Sequence, residues 1–349
     1  MSMPFMAAGA AALIGVASAV PAAAQQAARP VPGPLTIERQ GSFFVGGRDM
    51  RSDTLSTLPA YAPSGTITVD QVYVRYQVPA DAGRRYPVTL VHGCCLTGKT
   101  WETTPDGRMG WDEFFVRKGH PTFVVDQAWR GRSAASPAAI NGVKTGKAPV
   151  EELPTVFAAG HEPAWAIFRF GPEHPQVFPG MLFPLEAQGE FWKQMVPDWL
   201  ASLPTPNPTV PALSELAVRL GGTVLVSHSQ SGIYPFQTAA LSRQGIAGIV
   251  SIEPGACPAA DGDLKPYAGL PILVLFGDYV DQSPRWAPRL KACREFVAAA
   301  NAAGGKAELV LLPEAGMRGN SHMLMQDTNS LEIADWLAGW IDSRVGERP

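Results

Sequence analysis

The sequence predicts an α/β architecture, a doubly wound and mostly parallel sheet, and three observations predict it. Short apolar runs recur along the 349 residues, separated by stretches of helical character. One run, Thr223-Val-Leu-Val226, passes through the polar turn Ser227-His-Ser-Gln-Ser231 into Gly232 and a helix-like run, Ile233 to Ser242. Beyond that turn the chain holds a single histidine, His322, one loop after the apolar stretch Ala307 to Leu312.

Taken from the start, Phe5 to Val20 is apolar and Ala-rich, too short and small in its side chains for a membrane span. Ala22-Ala23-Ala24 fits a small-residue cleavage site, so residues 1–24 are expected to be an export signal. The expected location is the periplasm or the medium, where four cysteines can pair, with no membrane span after signal removal. A Pro/Ala linker, Gln25 to Pro34, follows. Leu35 to Arg48, punctuated by Gly41 and Gly46-Gly47, predicts a hairpin of Thr36–Arg39 and Ser42–Val45. Thr66 to Val78 alternates apolar and polar residues and predicts an amphipathic strand with a slip near Asp70-Gln71.

Short apolar runs mark central parallel strands. They are Pro87 to His92, Thr122 to Asp126, the run before Ser227, Ile246 to Ile252, Pro271 to Phe276 and Ala307 to Leu312. Pro288 to Ala300 has helical character. Ile333, Trp336, Leu337, Trp340 and Ile341 share one helix face, which makes those tryptophans core. From about 131 to 213 the pattern breaks into a Pro- and aromatic-rich stretch that holds Phe157, Trp165, Phe168, Phe170, Phe178, Phe183, Phe191, Trp192 and Trp199. An insertion there predicts a lid over an apolar pocket; the alternative is a packing elaboration. The expected domain is therefore one unit, 25–349, with the lid inside it.

The net charge of −3 leaves no footprint for nucleic acid or an anionic membrane. The remaining histidines, His92, His120, His161, His174 and His228, share no ligand spacing, and no glycine-rich phosphate loop follows a strand. Neither metal nor cofactor is expected, and the oligomeric state is open.

The chemistry gathers at the Ser229 turn. A strand, a sharp turn with serine at its tip and a helix make the nucleophile elbow of the α/β-hydrolase fold. The positions two residues either side must be small; glycine is usual, and here they are Ser227 and Ser231. A serine nucleophile needs a base and the base needs an acid, in the chain order Ser, Asp/Glu, His. His322 is the base candidate, with an ordinary imidazole pKa of about 6–7 expected. Two acids compete. Asp278, after Pro271 to Gly277, holds the commoner position; Glu253, one strand earlier, has the longer side chain. The oxyanion hole is expected from the backbone N–H of Gln230 and one in His92-Gly93-Cys94-Cys95. Adjacent α-carbons lie about 3.8 Å apart, below the usual disulfide span of roughly 4.4–6.8 Å. Cys94 and Cys95 are thus either a small ring or two buried thiols. Cys257 and Cys293 are placed for an ordinary bridge.

Together His92-Gly-Cys-Cys-Leu-Thr-Gly-Lys-Thr-Trp101, Ser227-His-Ser-Gln-Ser-Gly232, Ile252-Glu-Pro-Gly255 and Gly319-Asn-Ser-His322 resemble secreted bacterial α/β-hydrolase esterases with adjacent cysteines at the oxyanion hole. The resemblance implies carboxylester hydrolysis of a small-molecule substrate. It implies Glu253 as the acid beside Ser229 and His322, against the topological preference for Asp278. It also implies a Cys94–Cys95 disulfide. The same machinery serves lipases, peptidases and acyltransferases, and a silent copy of the fold could serve binding alone.

Overall fold

A sheet of six parallel strands carries the molecule, extended at one edge by two long antiparallel ones. The computed structural model describes residues 33–349, so the expected export signal lies outside the described residues. The strands are β1 Ile37–Ser52, β2 Gly65–Pro79, β3 Val88–Val91, β4 Thr122–Asp126, β5 Thr223–His228, β6 Ile246–Ile252, β7 Pro271–Phe276 and β8 Lys306–Leu311. The helices are α1 Trp111–Arg117, α2 Ala138–Lys144, α3 His161–Ile167, α4 Gln188–Lys193, α5 Thr209–Arg219, α6 Tyr234–Leu241, α7 Ala287–Ala302 and α8 Ser330–Arg344. Sheet order is β1-β2-β4-β3-β5-β6-β7-β8, with β1–β2 and β2–β4 antiparallel and the rest parallel. The apolar runs become strands because both faces of the parallel sheet are covered, so β3, β4 and β5 are buried throughout.

The predicted amino-terminal hairpin is not formed. β1 runs unbroken for 16 residues and its hairpin partner is β2. Gly46 and Gly47 do take positive φ, 63° and 92°, but Asp70 on β2 matches them with φ 66°. Both strands kink together and pairing continues from Gly46–Gln71 to Arg48–Val69. The predicted slip is therefore a shared kink with register kept. Gly41 is no turn either: a Cβ there would meet the Tyr76 hydroxyl at 3.0 Å, so glycine admits that ring.

The chain steps from β3 outward to β4, then returns to β5 on the other side of β3. Helices diverge at such a reversal and leave a crevice beyond the carboxyl ends of the strands. The loop after β3 carries Cys94 and Cys95; the turn after β5 carries Ser229.

One core cluster lies with α5, α6 and α7, the other with α8 and α1. Trp165, Phe168, Phe170, Phe183 and Phe191 of the aromatic stretch join the second cluster, and Phe178 stacks on Tyr279 at 4.5 Å. Residues Thr209 to Leu213 begin α5, which packs on the sheet beside α6. Among the described residues no helix is long and apolar enough to cross a membrane.

Cys257, after β6, is bonded to Cys293 of α7 across 36 positions of chain. Closing a loop of that length removes unfolded-state entropy. Cys257→Ala/Cys293→Ala is expected to lose about 2–4 kcal/mol in denaturant unfolding. An unchanged midpoint would contradict it.

Candidate active site

Ser229 stands at φ 57°, in the left-handed region that non-glycine residues avoid, on the step from β5 into a short 3-10 turn, Ser229–Ile233. That conformation lifts its hydroxyl clear of the sheet. The small residues around it are fixed by their own hydrogen bonds. Ser227 Oγ donates to the Val250 carbonyl at 3.4 Å, and Ser231 Oγ lies 3.0 Å from the carbonyls of Val91 and His228. Serine is tolerated in place of glycine because each hydroxyl has an acceptor. At Gly232 glycine is required, since a Cβ would sit 2.6 Å from Pro254 Cα.

His322 Nε2 accepts from Ser229 Oγ at 2.9 Å, and His322 Nδ1 lies 3.0 Å from Glu253 Oε2. A carboxylate only accepts, so Nδ1 carries the proton and Nε2 is left as the acceptor. Burial pushes the His322 imidazole below its ordinary range, against the opposing pull of Glu253. His228 donates from Nε2 to the His322 carbonyl at 2.9 Å and lies against its ring. Asp327 receives the Ser321 hydroxyl at 2.6 Å and the Ser321 N–H at 2.9 Å, fixing the preceding residue.

The structure brings Glu253, not Asp278, to the histidine. Asp278 turns away: its carboxylate accepts the N–H groups of Gly319 at 2.9 Å and Tyr279 at 2.8 Å, capping the loop. Glu253 is fully buried at φ 51°. Its carboxylate accepts from Arg169 Nη1 and Nη2, both at 2.5 Å, and from the Gly277 N–H at 2.5 Å. Burial alone would raise the Glu253 carboxyl, but the Arg169 charge and hydrogen bonds, with His322, outweigh it and hold it below the ordinary carboxylate range.

Arg169 escaped the sequence reasoning. It lies in the aromatic stretch, is fully buried, and its Nε donates to the Asp278 carbonyl at 3.0 Å. The available signal was one cation between two aromatics, Phe168-Arg-Phe170, which suits a buried ion pair better than a surface loop. Trp286 was missed too. Its ring lies 4.1 Å from that of His322, and its N–H donates to the Ile167 carbonyl at 2.9 Å.

Cys94 and Cys95 are joined as a disulfide, with Cys95 at φ 62°. They line one cavity with Ser229 and Gln230. Gln230 is the second residue of its 3-10 turn, so its N–H has no acceptor within the turn. Asp198, ion-paired with Arg130, accepts the Gln230 side-chain amide at 2.7 Å. Gly93 permits the close approach of the cysteine loop, because a Cβ there would lie 2.9 Å from Ser229 Cβ. His92 steadies that loop through Gly93 O at 2.8 Å and the Gln127 N–H at 3.1 Å. Cys94, Cys95 and Asp198 bring ligand-type atoms within 4.8 Å of one another. A disulfide offers no thiolate, so this group does not fit a metal ion.

The cavity measures about 510 Å³, in the range of small-molecule sites. Phe157, Ala159, Pro163, Ile167 and Phe168 wall it from the aromatic stretch, together with Trp286.

Removing one partner of a buried ion pair strands the other's charge. Arg169→Met is therefore expected to lose about 3–5 kcal/mol in urea unfolding, and Arg169→Met/Glu253→Leu to lose less than the single variant. Equal losses would show that no charge had been stranded.

No family model matches the chain. Among curated proteins, 26% identity over 319 residues, covering 78% of this chain and 86% of the other, links it to a fungal protein named "Probable secreted lipase phiG" (Fungal sp., strain ATCC 74256). Among solved structures, a bacterial esterase determined at atomic resolution is 63% identical, with a TM-score of 0.88 over 91% of this chain and 99% of that one. Identity of that order across nearly all of a solved esterase, on the sheet and crevice described above, places the chain in the α/β-hydrolase esterase family.

Proposed function

We propose that this esterase is an exported serine carboxylesterase that hydrolyses small, apolar or aryl carboxylic esters through an acyl-enzyme. The observation that carries the reading is the unbroken chain of contacts from Ser229 through His322 to Glu253. Ser229 Oγ attacks the ester carbonyl while His322 Nε2 takes its proton. The N–H groups of Gln230 and of the Cys94/Cys95 segment receive the oxyanion. Collapse expels the alcohol with the proton from His322. Water, activated by the same nitrogen, then releases the acid. Glu253 keeps the imidazole in the tautomer that accepts from serine.

The aromatic stretch acts as the roof of the acyl or alcohol pocket, supported by the five of its residues that wall the cavity. Export is supported by the segment before Gln25 and by the fungal relative's description as secreted. A silent binding fold is disfavoured because each role in the triad has a hydrogen-bonded occupant.

A fluorophosphonate separates these readings: it is expected to label Ser229, and an unlabelled Ser229 in folded protein sinks the esterase mechanism. Glu253→Gln is expected to lower kcat by roughly 10³–10⁴. Asp278→Asn, which touches only loop N–H groups, should lower it far less. The reverse order in p-nitrophenyl ester assays would return the acid role to Asp278.

Neutral His322 is the active form and burial disfavours its protonation. The acid limb of kcat/KM should therefore fall below the free imidazole value of about 6.5, lower than the unperturbed 6–7 expected from composition. A limb at or above that value would mean that burial does not govern this histidine.

A further inference from the structure

We infer that the cavity selects esters carrying a second, anionic group: a carboxylate held by Arg285 and Arg289 while the ester carbonyl lies at Ser229. This rests on the serine-esterase reading and names its substrate class, half-esters of dicarboxylic acids.

The motivating observation is a charge imbalance. The chain carries a net charge of −3, yet the residues lining the cavity include two arginines and no acid. Arg289 spends Nε on the Gly255 carbonyl at 3.0 Å and Nη1 on the Arg285 carbonyl, and meets no carboxylate among the described residues. Arg285 is solvent-exposed where it lines the cavity, and its guanidinium has neither a hydrogen-bond nor an ion-pair partner among the described residues, only the Trp286 ring at 6.0 Å. The two flank the start of α7, where the helix dipole disfavours cations, and four positions apart they repel each other. Burial, then the charge of Arg285, lowers the proton affinity of Arg289, as expected of a cation lacking its counter-ion.

Their place relative to the chemistry is set by Trp286. That ring lies between them in sequence and packs on His322 at 4.1 Å. Ile167, Phe168 and Trp286 supply apolar wall to the same cavity. A ligand that fits has an ester at one end, a short apolar body and a carboxylate at the other. Arginine suits that carboxylate because its planar fork donates two parallel hydrogen bonds.

The experiment compares 4-nitrophenyl hydrogen glutarate with 4-nitrophenyl pentanoate, which match in acyl length and differ in the terminal charge. The reading is the ratio of their kcat/KM values. The wild type is expected to favour the glutarate. Arg285→Gln should lower the ratio roughly tenfold, mainly through the KM of the glutarate, and Arg285→Glu should lower it further. Arg294→Gln removes an exposed cation of α7 that does not line the cavity. It should move the ratio less than about twofold, because Arg294 lies outside the cavity lining. A wild-type ratio at or below one, with pentanoate still cleaved, overturns this inference alone. So does an Arg285→Gln ratio no lower than that of Arg294→Gln. Turnover of neither ester, with Ser229 unlabelled by fluorophosphonate, overturns the serine-esterase reading and this inference with it.

Discussion

The constraint on which the site depends is one negative charge with no water around it. Glu253 is fully buried, and an uncompensated carboxylate there would be protonated or the loop would unfold. Three donors meet it: the paired guanidinium nitrogens of Arg169, the Gly277 N–H and the His322 imidazole. Each comes from a different stretch of chain. Arg169 belongs to the aromatic insertion, Gly277 follows β7, and His322 follows β8 by one loop. The carboxylate thus ties the insertion, two strand ends and the histidine loop to a single point.

Backbone strain is concentrated at the same edge of the sheet. Five strands, β3 to β7, are each followed within a few residues by one non-glycine residue at positive φ. These are Cys95, Trp129, Ser229, Glu253 and Tyr279. Conformations of this kind cost on the order of 1–3 kcal/mol and persist only where the surroundings impose them. Neighbouring loops impose them here through backbone hydrogen bonds. Gly255 N–H donates to Ser229 O at 2.7 Å, Glu253 N–H to Leu275 O at 2.7 Å, and Val196 N–H to Cys95 O at 2.8 Å. The serine is held by the loop after Glu253, the carboxylate by β7 and the cysteine loop by the insertion, so a change in one of these displaces the residue it holds.

Much of this was legible because the chemistry sits where topology forces it. Central parallel strands read directly, since burial on both faces favours apolar residues along most of each run. Ser229 followed from a strand and helix that must meet at a turn, and His322 from being the one histidine left beyond it. Between Glu253 and Asp278, periodicity had nothing to offer: both are acids at the ends of adjacent strands. What separates them is side-chain direction, and Asp278 is turned by two loop N–H groups that no sequence pattern reveals. Arg169 was hard to read for a related reason. Its aromatic neighbours hint at burial, but the carboxylate that it meets lies 84 positions away. The false hairpin has the opposite cause. Gly41 and Gly46-Gly47 looked like punctuation, but one clears space for Tyr76 and the others kink in step with Asp70.

The insertion carries the contacts of a fixed wall more than those of a hinged flap. Its backbone is bonded into the histidine loop repeatedly: His322 N–H to Phe168 O at 2.9 Å, Leu182 N–H to Gly319 O at 2.8 Å, and Thr328 N–H to Leu182 O at 2.9 Å. Trp286 adds its indole N–H to Ile167 O. Lifting this part of the roof would break those bonds and withdraw Arg169 from Glu253, leaving the carboxylate beside His322 buried without its counter-charge. Opening there would therefore disable the histidine it was meant to expose. Motion that admits substrate has to come from parts of the insertion outside that network. Phe157 is the candidate on geometric grounds: it lines the cavity, is half exposed, and is held through one two-bond bridge to Asp198. Asp198 is also the acceptor for the Gln230 side chain, so Phe157 is linked through Asp198 to the residue that follows Ser229. The rigid end of the insertion orders His322, and its looser end is joined through Asp198 to Gln230.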